Sequence, residues 1–342
     1  MSIAARRLVR SSGDKFILGV TVPEPNVNVG VYPTVARTAY TGPTTITTPG
    51  TVVEDKDITQ YITVNAPDVT FRNCYFSAGG DLNHGGMVDC KTANCSNIRF
   101  YRCTFIPSTC SDRRDAVYGH DYTIERCHIE HTVDGLAVVN QHAAAVNVRV
   151  LGNWIGNLSW YADDRGAHAD GTHNDCIQMH SGTGLEVVGN AFYGYKYNVL
   201  GTPALDGSAD NRHPQVGQII LTQTAAYYHV GDIHVRNNFI WGGANCLKYA
   251  SRCAISGHNH RYGYDVENVN NIWMDDNQRD YGYTWHFYPI RTDDEMTING
   301  IGPFATSGAT YDVHGNHWSA TSPGVTDPAR KGQPVFIRCD AT

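Results

Sequence analysis

No stretch of this sequence approaches the roughly 18 consecutive apolar residues of a membrane span. The opening residues, MSIAARRLVRSSGDKF, hold no long apolar core of the kind a secretory leader needs. These two absences predict a protein made in the cytoplasm without a signal peptide and held in no membrane. Charge is sparse: 17% of residues are charged and the formal net charge is −7. That balance leaves no basic surface for a phosphate backbone and argues against nucleic acid as a partner. The basic run at Arg6, Arg7 and Arg10 is too short to reverse it. Ten cysteines are present, but no two have CxxC spacing, so the usual structural zinc signature is missing. A chain of 342 residues is large enough to fold without a disulfide frame. What remains is turn-rich and globular: 34 glycines, 20 tyrosines, 6 tryptophans and 41% hydrophobic residues.

An internal repeat organises the chain. Eight octads align: VTFRNCYF from Val69, IRFYRCTF from Ile98, YTIERCHI from Tyr122, VRVLGNWI from Val148, LEVVGNAF from Leu185, IHVRNNFI from Ile233, IWMDDNQR from Ile272 and YDVHGNHW from Tyr311. Positions one and three are apolar in all eight, which is the period of a strand. Position six reads Cys74, Cys103, Cys127, Asn153, Asn190, Asn238, Asn277 and Asn316. Asparagine and glycine at the end of a strand mark a bend, since both tolerate left-handed backbone. Repeated in every coil, the bend would stack the asparagine amides on one another and on turn backbone. Cysteine in the same slot is a small buried hydrophobe, so Cys74, Cys103 and Cys127 are read as reduced stacking residues.

The octads start 29, 24, 26, 37, 48, 39 and 39 residues apart. The short spacings suit one coil of three short strands, and the long ones the same coil with an inserted loop. A second strand recurs as MVDC, DAVYG, GLAVVN, DCIQMH, QIILTQ, CLKYA, WHFYPI and VFIRC. Its alternation sets Leu136, Val138, Ile177, Met179, Ile219 and Leu221 inward, and Cys176, Gln178, His180 and Lys248 outward. Strands in successive coils lie ~4.8 Å apart, so Gln178 and Lys248, two coils apart, would sit about 10 Å from each other on one face. The fold predicted is all-β: a parallel solenoid whose coils cannot fold alone. Residues 1–50 have no octad and are read as an extended arm and cap, with the solenoid over 51–342.

With its asparagine ladder, the repeat resembles the right-handed, single-stranded parallel β-helix of the pectate-lyase-like superfamily, over about residues 58–340. The phrasing TGPTTITTPGTVVEDKDITQYITVNAPDVTFRNCYF (41–76) is similar to minor tail proteins of phages that infect actinobacteria. The resemblance implies a virion protein that contacts, and in some relatives cleaves, a host cell-surface polysaccharide. It implies other phage tail proteins as neighbours and a homotrimeric assembly. A stand-alone polysaccharide lyase or glycoside hydrolase is the alternative, and a purely architectural tail-tip subunit a third.

In the lyases and hydrolases of that superfamily, the strand after the bend and the following loop lines the substrate groove. Here that strand is Asp175–His180, entered through HADGTHNDCIQMH (168–180). The catalytic candidates are Asp170, His173, Asp175, Gln178, His180 and Lys248. Hydrolysis needs paired carboxylates, whereas a lyase needs a base and a cation. No complete signature of either is present. His168, Asp170 and His173 are candidate ligands for a divalent metal, although their spacing fits no established site and no cofactor is expected. Trp160, Tyr161, Tyr227 and Tyr228 are candidate glycan-stacking residues. The bland alternative is a recognition loop of turn caps and surface histidines.

Overall fold

The structure is a computed structural model that describes residues 16–17, 20–80, 85–161, 172–198, 217–222, 231–236 and 238–242. Beyond these it describes strands at 247–250, 272–275, 278–281, 286–287, 295–298 and 335–340. Among the described residues there is no helix; apart from a short antiparallel pair, Phe16–Ile17 with Val20–Thr21, the strands form three stacked, mainly parallel sheets.

Sheet 1 contains the octads, from Val52–Glu54 through Thr70–Arg72, Ile98–Tyr101, Tyr122–Glu125, Ala145–Leu151, Thr183–Val188 and Gly231–Arg236 to Ile272–Asp275. Sheet 2 follows the bend, with strands such as Tyr75–Phe76, Thr104–Phe105, His128–Glu130, Trp154–Trp160 and Ala191–Asn198. Sheet 3 holds the second recurrent strand, including Gly85–Cys90, Arg114–Gly119, Leu136–Val138, Asp175–Met179, Gly217–Thr222 and Leu247–Ala250. The pairing keeps the octad register: Ile98 lies opposite Tyr122, Val148 opposite Leu185, and Ile233 opposite both Leu185 and Ile272. The octad from Tyr311 lies outside the described residues.

The bend slot forms a continuous ladder. The Asn153, Asn190 and Asn238 side chains are fully buried. The Asn153 and Asn190 N–H groups donate to Asn190 Oδ1 (2.8 Å) and Asn238 Oδ1 (2.9 Å). Their amide nitrogens donate to the next amide and to the carbonyls of Ile124 and Val150. Sulfur continues the line: Cys127 N–H donates to Asn153 Oδ1 at 2.8 Å, and Cys103 N–H to Cys127 Sγ at 3.2 Å. Cys74, Cys103 and Cys127 are buried and unbridged.

The left-handed residue at the bend is position five, not position six. Asn73, Arg102, Arg126, Gly152 and Gly189 all have φ between 51° and 68°. A second left-handed column precedes the sheet 1 segments that start at Thr51, Val69, Ile98, Tyr122, Val148 and Leu185, at Gly50, Asp68, Asn97, Asp121, Asn147 and Gly184. Its side chains pair between coils, Asn97 with Asp68 at 2.7 Å and Asn147 with Asp121 at 2.8 Å.

Residues 38–54 already make one coil, since Thr38–Ala39, Thr45–Ile46 and Val52–Glu54 each pair in parallel with the next coil. Before it, the chain runs along the outside of the bends. Gly30 N–H donates to Arg126 O, Val31 N–H to Thr104 Oγ1, and Tyr32 N–H to Asn73 Oδ1. Val22 and Val29 pack with Trp154 and Ala191. At the other end, VFIRC does not join sheet 3 as expected. Val335–Asp340 turns back antiparallel on Ile272–Asp275 in sheet 1, and Glu295–Ile298 pairs with it. A returning strand covers an edge that a further parallel coil would leave open.

Candidate functional site on sheet 3

Strict alternation fails near the start of three sheet 3 strands. Met87 and Val88 are both in the core, as are Ala116 with Val117 and Cys176 with Ile177. The pairing between Gly85–Cys90 and Arg114–Gly119 passes over Met87 and Ala116 at the same point. Two successive inward residues mark a kink that the stacked strands share, since the register is the same on both sides of it. Cys176, expected outward, is therefore buried, with Sγ 3.4 Å from Ile155 O. Past the irregularity the expected pattern holds. Leu136, Val138, Ile177 and Met179 are fully buried, and Gln178 and His180 are half-buried.

The same register stacks three aspartates. Gly86 lies opposite Asp115, and Asp175 opposite Gly217. Val117 opposes Leu136, which opposes Ile177, so Asp115, Asp134 and Asp175 occupy one position in successive coils. Their exposures are 0%, 7% and 1%, so the column lies under cover instead of on open surface. Asp175 N–H donates to Asp134 Oδ1 at 2.8 Å, and Gly135 N–H to Asp175 O at 2.9 Å. Asp175 thus takes part in capping the strand start. Burial pushes the Asp115 carboxyl well above the usual carboxylate range, reinforced by Asp134 and Asp89, while the Asp134 amide and Arg114 oppose it. Arg114 is itself 6% exposed, with its guanidinium 4.1 Å above the Tyr61 ring and Nη1 3.4 Å from Gly86 O.

Outward from this column runs a second one: Asp89, Tyr118, Ala137, Gln178, Ile220 and Lys248. The register places Gln178 and Lys248 two coils apart, with Ile220 between them. Lys91 bridges Asp89 (3.2 Å) and the face of the Tyr118 ring (5.2 Å). The His180 ring centroid is 6.4 Å from that of Tyr118.

Trp160 and Tyr161 sit half-buried at the neck of the inserted loop, and His173 lies just inside it. The neck is closed by two bonds, Tyr161 N–H to Thr172 Oγ1 (3.0 Å) and Thr172 N–H to Tyr161 O (2.9 Å). Asn174 secures the return, donating to Val133 O at 2.6 Å and Ser159 O at 2.7 Å. His168, Asp170, Tyr227, Tyr228 and the side chain of Lys248 lie outside the described residues. The structure thus places Asp175, Gln178 and His180 on one strand, with His173 at its entrance. Among the described residues, no three His, Cys, Asp or Glu side chains converge as metal ligands.

Sequence reasoning missed Asp115, Asp134, Asp89, Arg114, Tyr61 and Tyr118. A signal for the column was present, in Asp115-Ala116-Val117, Asp134-Gly135-Leu136 and Asp175-Cys176-Ile177. It appears only when the strands are aligned from the shared kink. On the opposite side, sheet 1 bears a groove of about 270 Å³ lined by Arg72, Arg99, Tyr101, Thr123, Arg149 and Leu151. Its Arg72 and Arg149 are tied to Glu54 and Glu186. The groove offers ion-paired side chains, whereas sheet 3 offers a shifted carboxyl beside other carboxylates.

The chain matches no protein-family model, no curated protein and no solved structure.

Proposed function

We propose that this chain is a right-handed parallel β-helix of the pectate-lyase-like kind, serving as a phage tail component that contacts a host cell-surface polysaccharide. The observation that carries the reading is the outer column of sheet 3. Tyr118, with Lys91 against its ring, and Gln178 lie two coils apart on one face, with Ala137 between them and half-buried His180 beside them. An aromatic face with polar neighbours at that pitch suits a row of sugar rings.

Cleavage of the same glycan is the second reading, and Asp115 favours it. A carboxyl biased towards its protonated form by burial, beside other carboxylates, matches the division of labour that acid–base hydrolysis uses.

The test incubates purified protein with actinobacterial cell-wall polysaccharide and measures both retention and chain length. Wild type is expected to retain the glycan, and a Tyr118→Ala/Gln178→Ala double variant to lose roughly tenfold or more in affinity. Equal retention by the two proteins would sink the reading. Shortening by wild type, lost in Asp134→Asn, would establish the second.

A further inference from the structure

The groove on sheet 1 is separate from the sheet 3 face and has its own chemistry. Two outward columns border it. One is Thr70, Arg99, Thr123 and Arg149, and the other is Arg72, Tyr101, Glu125 and Leu151, each in register across four coils. The residues between the columns, Phe71, Phe100, Ile124 and Val150, point into the core. The groove therefore runs along the solenoid axis over three coil steps of ~4.8 Å, with strand backbone as its floor.

Three guanidiniums line it, in a chain whose formal charge is −7. Arg99 is exposed and has no ion pair among the described residues. The other two are paired on one side only. Arg72 gives Nε and Nη2 to Glu54, and Arg149 gives Nε to Glu186. Neither glutamate lines the groove. A guanidinium carries five N–H donors, so both arginines keep donors for a ligand.

The order of the groups along the groove is specific. Arg99 and Arg149 share one column two coils apart, about 10 Å. The strand between them carries Thr123 and Glu125. Glu125 repels a second carboxylate but accepts hydrogen bonds from hydroxyls. Tyr101 adds an aromatic ring with a polar tip in the coil of Arg99. Along the axis the lining thus reads cation, then hydroxyl acceptor, then cation.

We propose that this groove binds an acidic polysaccharide in which uronate residues alternate with neutral sugars. One uronate carboxylate meets the Arg99 guanidinium, where two parallel N–H donors match its two oxygens. The next carboxylate meets Arg149, because a disaccharide is about as long as two coil steps. The neutral sugar between them donates its hydroxyls to Glu125 and Thr123. No residue of this site lies on sheet 3, so it stands or falls independently of the glycan contact proposed there.

The experiment titrates the full chain by calorimetry at low ionic strength with a hyaluronan hexasaccharide, whose uronates alternate with neutral sugars. Wild type is expected to bind it, and Arg99→Gln to lose roughly tenfold or more in affinity. Thermal unfolding checks that the variant is folded. The same hexasaccharide with its carboxyls methyl-esterified should bind wild type roughly tenfold or more weakly. An oligogalacturonate of equal length, charged on every sugar, should bind wild type less tightly than the hyaluronan and should gain affinity in Glu125→Gln. The sheet 3 variant Tyr118→Ala/Gln178→Ala should bind the hexasaccharide as wild type does, which separates this site from the other. No binding by wild type, or equal binding by folded Arg99→Gln or of the methyl ester, would overturn the proposal. So would loss of binding in the folded sheet 3 variant. Oligogalacturonate bound as tightly as hyaluronan would overturn the alternation of charged and neutral sugars.

Discussion

In the coils of Cys74, Cys103 and Cys127 the bend is filled by sulfur, and in those of Asn153, Asn190 and Asn238 by amides. The residue before the slot changes with it: Asn73, Arg102 and Arg126 precede the cysteines, whereas Gly152 and Gly189 precede Asn153 and Asn190. So does the core behind it. The cysteine coils stack Phe71 on Phe100 at 5.2 Å and Phe76 on Phe105 at 4.5 Å, while the asparagine coils present Val150, Val187 and Val235. One backbone path is thus held in two ways. The aromatic half relies on packing, and its ladder atoms make long sulfur contacts. The aliphatic half relies on a chain of amides, each bonded both to its neighbour and to backbone, and such a chain is costly to interrupt.

The sharpest test truncates both slots to the same residue. Asn190→Ala strips partners from the Asn153 N–H, the Asn153 amide and Val150 O, and should cost about 3 kcal/mol or more. Cys103→Ala removes one buried sulfur and should cost about 1 kcal/mol. Urea denaturation midpoints compare the two, and equal costs would erase the distinction.

A second contrast lies on sheet 3, where Asp115 belongs to the cysteine coils and Asp175 to the asparagine coils. A carboxyl whose folded pKa is raised binds its proton more tightly when folded. The stability it contributes is therefore complete below the unfolded value, about 4, and is lost as pH rises towards the folded value. Asp115→Asn should raise stability at neutral pH by roughly 1–3 kcal/mol, with the gain fading below about pH 4. Unfolding followed across pH checks the sign, and a gain that is flat with pH would refute the cause.

Smaller effects come from the bend. Arg126→Gly should stabilise by about 1 kcal/mol and Gly152→Ala should cost a similar amount, because each changes a side chain on left-handed backbone. Smallest of all, Cys127→Asn should be tolerated within about 1 kcal/mol. Its amide can continue the ladder towards Cys103 N–H and Phe100 O, where sulfur now sits. A drop in melting temperature comparable to that of Asn190→Ala would show that the aromatic half has no room for an amide.

The octad register was legible in the sequence because burial enforces a period of two, and a one-residue slip would turn every inward side chain out. The first coil was not, because TVVEDKDI (51–58) carries Thr51 and Lys56 where the pattern asks for an apolar residue and a ladder residue. Cys176 and the aspartate column were obscured by the shared kink at the strand start, which shifts inward and outward by one residue and leaves no mark in composition. The strand Asp175–Met179 was legible as a candidate site strand from its position after the bend and loop. Asp134 was not, because only register joins it to Asp115 and Asp175.

Stacked coils ordinarily come apart like a pile of coins, from the end inward, each held only by its neighbours. The segment that runs from Val22, beside Trp154 and Ala191, to Tyr32 at Asn73 ties coils that are not adjacent. A pull on the chain ahead of Val22 would first meet this strap lying along several coils. The load would be shared in shear before the first coil could peel. What the strap supplies is resistance to tearing rather than to heat.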